Sequence, residues 1–149
     1  MQRRHGLKRN ARLGFTLIEV LLVLAILGVI AAMVVPQLLG RQRQANIDAT
    51  KLSISGVEQA LEIYATDHSG DFPTTGDGLE SLLTAPNNDE KWHGPYLKES
   101  KSLPVDAWGR PLQYEYPGQH NTDGSKADIS SGGPDKAFGT ADDITNWTK

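Results

Sequence analysis

Three patterns of hydrophobic and polar positions follow one another along the chain. From Val20 to Val35 no residue is charged, and the stretch LIEVLLVLAILGVIAAMVV is apolar except for one acid, Glu19. A helix from Phe15 to Val35, rising about 1.5 Å per residue, covers about 30 Å, roughly one bilayer core. From Gln37 to about Asp67 the apolar residues thin into a stripe. Ile47, Ile54, Val57, Leu61 and Tyr64 are separated by 7, 3, 4 and 3 positions, the spacing of one helix face. Arg41, Arg43, Asp48, Lys51, Glu58 and Glu62 fall largely off that face. This predicts a half-buried helix turned toward a small globular body. The preceding part, Gln37 to Lys51, has fewer large apolar residues and is expected to be exposed in a monomer and free to pack against other copies.

Beyond the helix the pattern breaks into short runs between turn signals. DHSGDFP ends the helix at Gly70. Asp77 followed by Glu80 reads as a capping box opening a short helix through Leu83. PLQYEY alternates and predicts a strand from Leu112 to Tyr116, and ADIS at 127–130 and DITNW at 143–147 predict two more. Packed on the helix stripe, these give an α+β fold. A long N-terminal helix, half transmembrane and half amphipathic, lies on a small antiparallel sheet with a loop-rich C-terminal region. Pro36 closes the apolar run and predicts a kink or local melting near Val34–Val35. Gly28 leaves room for close helix packing, although membrane helices also tolerate both residue types without consequence.

Charge adds an orientation. The 149 residues carry a net charge of −3, but Arg3, Arg4, Lys8, Arg9 and Arg12 precede the first acid, Glu19, which leaves the remainder near −8. A basic head before an apolar segment stays cytoplasmic while the C-terminal part crosses. The acidic remainder argues against nucleic-acid binding and for attraction of divalent cations. There is no cysteine, so no disulfide ties down the loops of a domain placed where disulfides form.

Glu19 needs an explanation, because an unpaired charge in apolar surroundings costs several kcal/mol. A signal peptide fits the basic start. Leu17 to Val35 is longer than a usual apolar region of that kind, however, and Ala31-Ala32 is a weak cleavage site. A plain anchor leaves the acid shallow, near the headgroups. The third reading is more specific. GFTLIE followed by an apolar helix resembles the type IV pilin-like class, cut by prepilin peptidase between Gly14 and Phe15. The resemblance implies that Phe15 gains a free, methylated amine. Phe15 and Glu19 are spaced i and i+4, one helical turn apart. In a stack of subunits the new amine pairs with the Glu19 carboxylate of a neighbour and fixes a staggered register.

Further motifs narrow the resemblance. FPTTGDGLESLL, GPYLK, LPVDAWGRPLQYEYPG and DDITNW, in that order, are similar to the major pseudopilins of type II secretion systems. Ala107 stands where that family more often has proline, and SSGGPDKAFGTADD is a variant of its acidic loop. The resemblance implies three parts: a cleaved basic leader at 1–14, a transmembrane and filament-core helix at 15–36, and a periplasmic head at 37–149 whose amphipathic helix runs to about 68. It implies a single-pass inner-membrane precursor in a Gram-negative bacterium that assembles, with Phe15, Glu19 and Pro36 in the assembly region, into a periplasmic homopolymer driving export of folded proteins. Its partners are then prepilin peptidase, minor pseudopilins and the inner-membrane assembly platform. A type IV pilin or minor pilin, or a monomeric membrane-anchored calcium-binding module, are the alternative readings. The acidic loop and the lack of a C-terminal cysteine pair argue against the pilin.

The acidic loop carries Asp128, Asp135, Asp142 and Asp143 among glycines and small residues. Hard cations take 6–8 oxygens from carboxylates and carbonyls, and Gly132, Gly133 and Gly139 let the backbone bend inward. The ligand order of an EF-hand is missing, and chemistry alone leaves a calcium site and a solvated acidic loop both open. The family resemblance implies Ca2+, held by Asp135, Asp142 and Asp143 with the backbone of Gly132 and Ala137 as further candidates, and Asp128 outside the shell. A metal clip then takes the place of the disulfide of many pilins.

Catalysis is not expected. His5, His68, His93 and His120 lack metal-site spacing, no nucleophile elbow is present, and GGPDKAFG lacks the ending of a phosphate loop. Trp92, Trp108 and Trp147 read as packing anchors.

Overall fold

The structure, a computed structural model, describes residues 14–87, 89–97, 102–120 and 125–147. The basic leader through Leu13 lies outside them. The first element is α1, Leu17–Asp67, a single helix of 51 residues. It is continuous through Pro36, so the local melting expected near Val34–Val35 does not occur. Proline removes one backbone hydrogen bond, but the run before it is aliphatic, and freeing more backbone groups in apolar surroundings would cost more than closing the helix around it. α1 is long and apolar enough to cross a membrane.

The chain divides into two units, Met1–Gly40 and Arg41–Lys149. In the second, the predicted stripe of α1 is the inner face: Ile54, Val57, Leu61 and Tyr64 are buried, and Ile47 packs at the edge. Thr50, Ala60 and Ala65 are buried beside them, where small side chains let other elements approach the helix. Leu79, Leu82, Tyr96, Leu112, Ala127, Ile129 and Ile144 complete one core. Trp92 and Trp108 pack against it as expected, and the Trp92 indole N–H donates to Ser81 O at 2.7 Å.

α1 ends as its turn chemistry predicts. Gly70, at φ +101°, donates back to Ala65 O at 2.8 Å, which satisfies one of the last free carbonyls. The next prediction is corrected. Asp77 and Glu80 do not cap an α-helix; a four-residue 3-10 turn forms at Leu79–Leu82, preceded by Gly78 at φ +65° with no side-chain cap. Asp77 is engaged upstream instead: it accepts from Thr74 Oγ1 at 2.7 Å and returns its N–H to the same oxygen at 3.2 Å. Thr74 competes for the carboxylate, and the positive φ of Gly78 separates Asp77 from the turn that follows.

Three strands form an antiparallel sheet in the order β1-β2-β3: β1 Gln113–Glu115, β2 Asp128–Ser131 and β3 Ile144–Thr145. Tyr114 faces Ile129 and Ser131 faces Ile144 in the register. β1 is shorter than the predicted Leu112–Tyr116 because Pro111 and Pro117 flank it and neither can donate to a ladder. β2 is the central strand, and all of its residues are buried.

Candidate functional site

The start of α1 shows how Glu19 is accommodated. Its Oε2 accepts the Thr16 backbone N–H and the Thr16 hydroxyl, each at 2.8 Å, and the Glu19 N–H donates to Thr16 Oγ1 at 3.3 Å. This is a reciprocal capping box, which satisfies two otherwise orphaned donors and places a negative charge at the positive end of the helix. The signal, Thr-x-x-Glu, stands in the sequence at Thr16–Glu19, where the sequence reading considered only Phe15 as the partner. Phe15 and Glu19 are not one helical turn apart in the structure. α1 begins at Leu17, so Phe15 precedes it, with its side chain 91% exposed. Gly14 is exposed as well. In the unit ending at Gly40, every large apolar side chain from Phe15 to Leu39 is at least 46% exposed. Gly28 has open space around it, and Pro36 sits on the same exposed run.

The acidic segment between β2 and β3 is exposed and folds back on itself. Ala137 N–H donates to Asp135 Oδ1 at 2.8 Å, Asp135 N–H to Asp142 Oδ2 at 3.3 Å, and Gly139 N–H to Asp143 Oδ2 at 2.7 Å. Thr140 Oγ1 lies 2.8 Å from Asp142 Oδ1, 3.3 Å from Asp143 Oδ1 and 3.3 Å from Ala137 O. The Thr140 hydroxyl, followed by backbone N–H groups, holds the Asp142 carboxyl below the usual carboxylate range. Arg43 Nη2 stands 3.8 Å from Asp142 Oδ2.

Two glycines close the neck of this loop. A Cβ on Gly132 would stand 3.0 Å from Ala137 O and 2.9 Å from Arg110 Nη2. On Gly133, at φ +57°, it would overlap the Asp142 carbonyl oxygen. Both positions need glycine for the close approach of backbone to backbone.

The loop therefore gathers carboxylate, carbonyl and hydroxyl oxygens. A hydroxyl has one proton, so Thr140 cannot donate to all three of its oxygen neighbours. Hard oxygen donors around one point are the chemistry of a Ca2+ site. Among the described residues, though, no three His, Cys, Asp or Glu side chains stand together closely enough to hold a metal ion by themselves. Any fit rests on Ala137 O and Thr140 joining the acids. Thr140 escaped the sequence reading because a lone threonine carries no ligand signature. Asp128 is elsewhere, accepting from the Gln119 and His120 backbone N–H groups at 2.7 and 3.0 Å and pairing with His120 Nδ1 at 2.8 Å.

A buried acid that the sequence reading passed over anchors the base of the loop. Asp106 is 3% exposed. Its Oδ1 accepts the Trp108 and Arg110 backbone N–H groups at 2.9 and 2.8 Å, and its Oδ2 accepts the Ser131 hydroxyl at 2.8 Å. Arg110 turns from there toward the loop. Nη1 donates to Lys136 O, and the guanidinium stands 5.8 Å from the centre of the Phe138 ring. Ala107 N–H donates to Thr50 Oγ1 at 3.0 Å and so ties the same turn to α1. The Asp-x-Trp-Gly sequence, an aspartate opening a turn, was the available signal.

Comparisons with known proteins agree with this architecture. Residues 37–147 match the family model described as Type II secretion system (T2SS), protein G, and residues 9–35 match the prokaryotic N-terminal methylation motif. The chain is 42% identical over 136 residues to the type II secretion system core protein G of Escherichia coli K12, covering 90% of each chain. It is 39% identical over 143 residues to the protein of that name from Klebsiella michiganensis, covering 95% of this chain and 97% of the other. The solved major pseudopilin from the type 2 secretion system of enterohaemorrhagic Escherichia coli superposes with a TM-score of 0.60 at 32% identity, over 74% of this chain and 89% of that one. With a methylation motif running into the apolar half of a membrane-anchoring helix and a protein G head behind it, the chain belongs to the type II secretion protein G family, the major pseudopilins.

Proposed function

We propose that the chain is made as a single-pass inner-membrane precursor with its head in the periplasm, and that prepilin peptidase cuts it between Gly14 and Phe15. The carrying observation is the exposure of every large apolar side chain from Phe15 to Leu39. Such a surface needs lipid before assembly and other copies of itself afterwards. Cleavage frees the Phe15 amine next to the Thr16–Glu19 box, and that amine is then methylated in a separate transfer from a methyl donor. The Glu19 carboxylate then exchanges its own Thr16 donors for the amine of a neighbouring copy, and the charge pair sets the register. The resulting homopolymer, capped by minor pseudopilins and built on the inner-membrane platform, moves folded proteins outward as a structural element rather than a catalyst.

The acidic loop is proposed to take Ca2+ on Asp135, Asp142 and Asp143, with the Ala137 carbonyl, the Thr140 hydroxyl and the backbone at Gly132 as neighbours. The ion would supply positive charge to three acids otherwise held by backbone N–H groups, the Thr140 hydroxyl and, at Asp142, the Arg43 guanidinium.

The test is N-terminal analysis of protein purified from membranes. A chain starting at methylated Phe15 supports the reading, and one starting at Met1 overturns it.

A further inference from the structure

Two aspartate–histidine pairs join the end of α1 to the segment Asp89–Tyr96, and they run in opposite directions. His68, one residue past α1, meets Asp89, while Asp67, the last residue of α1, faces His93. The first pair is tight. His68 is 9% exposed and lies flat on Tyr64, ring centres 3.7 Å apart and planes 3° from parallel. Its Nδ1 is 2.7 Å from Tyr64 O and its Nε2 is 2.6 Å from Asp89 Oδ2. The second is loose. His93 is 72% exposed, with Nδ1 3.8 Å from Asp67 Oδ2 and 2.6 Å from Lys91 O.

Both partners of His68 are acceptors only. A neutral imidazole has one N–H and would turn a lone pair on one of the two oxygens. Only the doubly protonated ring satisfies both, and the C-terminal end of a helix favours that cation. The remaining charged and titratable groups around it come from several elements. From α1 there are Tyr64 and Asp67, and just after it Asp71, whose field reaches Tyr64. Asp77, ahead of the 3-10 turn, acts on Tyr64 as well. From the opposing segment come Asp89, Lys91, His93 and Tyr96. The hydrogen bond from His68, then the Lys91 backbone N–H, holds the Asp89 carboxyl below the usual carboxylate range. Tyr96 meets Tyr64 edge-on at 5.4 Å, donates its hydroxyl to Asp67 at 2.8 Å, and donates its N–H to Leu82 O at 2.8 Å.

We propose that His68 is a charge-operated latch that, as imidazolium, closes Asp89–Tyr96 onto the end of α1 and, on losing a proton, releases it. Rising pH removes one of the two ring protons and leaves one oxygen contact without a hydrogen. Falling pH works through Asp89: its contribution is present above the ordinary carboxylate range and is lost as pH falls through the lowered value. The latch is thus closed in weakly acidic solution and loosens toward alkaline solution. His93, exposed and distant, contributes little.

The experiment is amide hydrogen exchange on the full-length protein in detergent, at about pH 5.5 and about pH 8.5, corrected for intrinsic rates. Protection of the Tyr96 amide should fall about tenfold or more at the higher pH, the size of one charge-assisted hydrogen bond. His68→Gln should show the lower protection at both values, and His93→Gln should behave as the unmodified protein. Equal protection at both pH values in the unmodified protein, or loss of the pH effect only in His93→Gln, overturns the proposal. Nitrogen-15 spectra of histidine-labelled protein provide a second reading without substitution. Two protonated ring nitrogens on His68 where Tyr96 is protected support the latch, and one protonated nitrogen under those conditions overturns it.

Discussion

Thr16 gives both its N–H and its hydroxyl to Glu19, and Glu19 returns its own N–H to the Thr16 oxygen. The acid in the apolar run is therefore not naked while the chain is alone, because the helix start supplies two donors to it. An intermolecular partner has to compete with that box. Loss of a capping residue costs a helix about 1 kcal/mol. Thr16→Ala should fray the first turn of α1, read as faster amide exchange at Leu17–Glu19 in detergent. Glu19→Val should remove assembly altogether, read as loss of cross-linked oligomers in membranes. Assembly of Glu19→Val at the unmodified level would contradict the proposed pairing.

The acidic loop makes a prediction about metal. Thermal unfolding of the protein with Ca2+ should lie several degrees above unfolding with chelator, about 4–8 °C for each kcal/mol of binding in a head of this size. Asp142→Ala should reproduce the chelated midpoint and lose the response to added Ca2+. Identical midpoints with and without the ion would rule the site out.

Burial separates two leucines on one helix. Leu61 is 2% exposed and Leu52 is 75% exposed. Leu61→Ala should cost about 2–5 kcal/mol. Leu52→Ala should stay within about 0.5 kcal/mol. Denaturant midpoints of the two variants check this.

Tyr114 governs the alkaline side of stability. It is packed against the core, its hydroxyl donates to Pro73 O at 2.7 Å, and burial pushes its phenol well above the usual tyrosine value. The folded state keeps the proton while the unfolded chain, above about pH 10, gives it up. This contribution is fully present below the ordinary tyrosine value and is lost as pH rises beyond it. Tyr114→Phe should flatten that loss while lowering neutral stability by about 1 kcal/mol for the unmet carbonyl. Unfolding free energies measured at neutral and alkaline pH decide it.

Much of the fold was readable because it rests on period and punctuation. Ile54, Val57, Leu61 and Tyr64 mark the buried face by spacing alone, and Gly70 marks where the helix stops. The alternation around Tyr114 locates β1. What could not be read depended on competition between neighbours. Asp77 looks like a cap until Thr74 claims its carboxylate. Pro36 looks like a break until the cost of freed backbone in an apolar run is weighed. Around the candidate sites the sequence names the acids but not their companions. Thr140 and Arg110 matter through where the chain brings them, and a single threonine or arginine carries no periodic signal, whereas Thr16 and Asp106 stand in short local motifs, Thr-x-x-Glu and Asp-x-Trp-Gly.

At the neck of the acidic loop, Gly133 occupies a left-handed conformation and leaves no space for a side chain beside the Asp142 carbonyl. The two ends of the loop are joined there by the absence of an atom rather than by an attraction. A purse drawn shut at the mouth can change its contents and its depth. One methyl group at Gly133 would force that mouth apart, whatever the residues between Pro134 and Ala141 do.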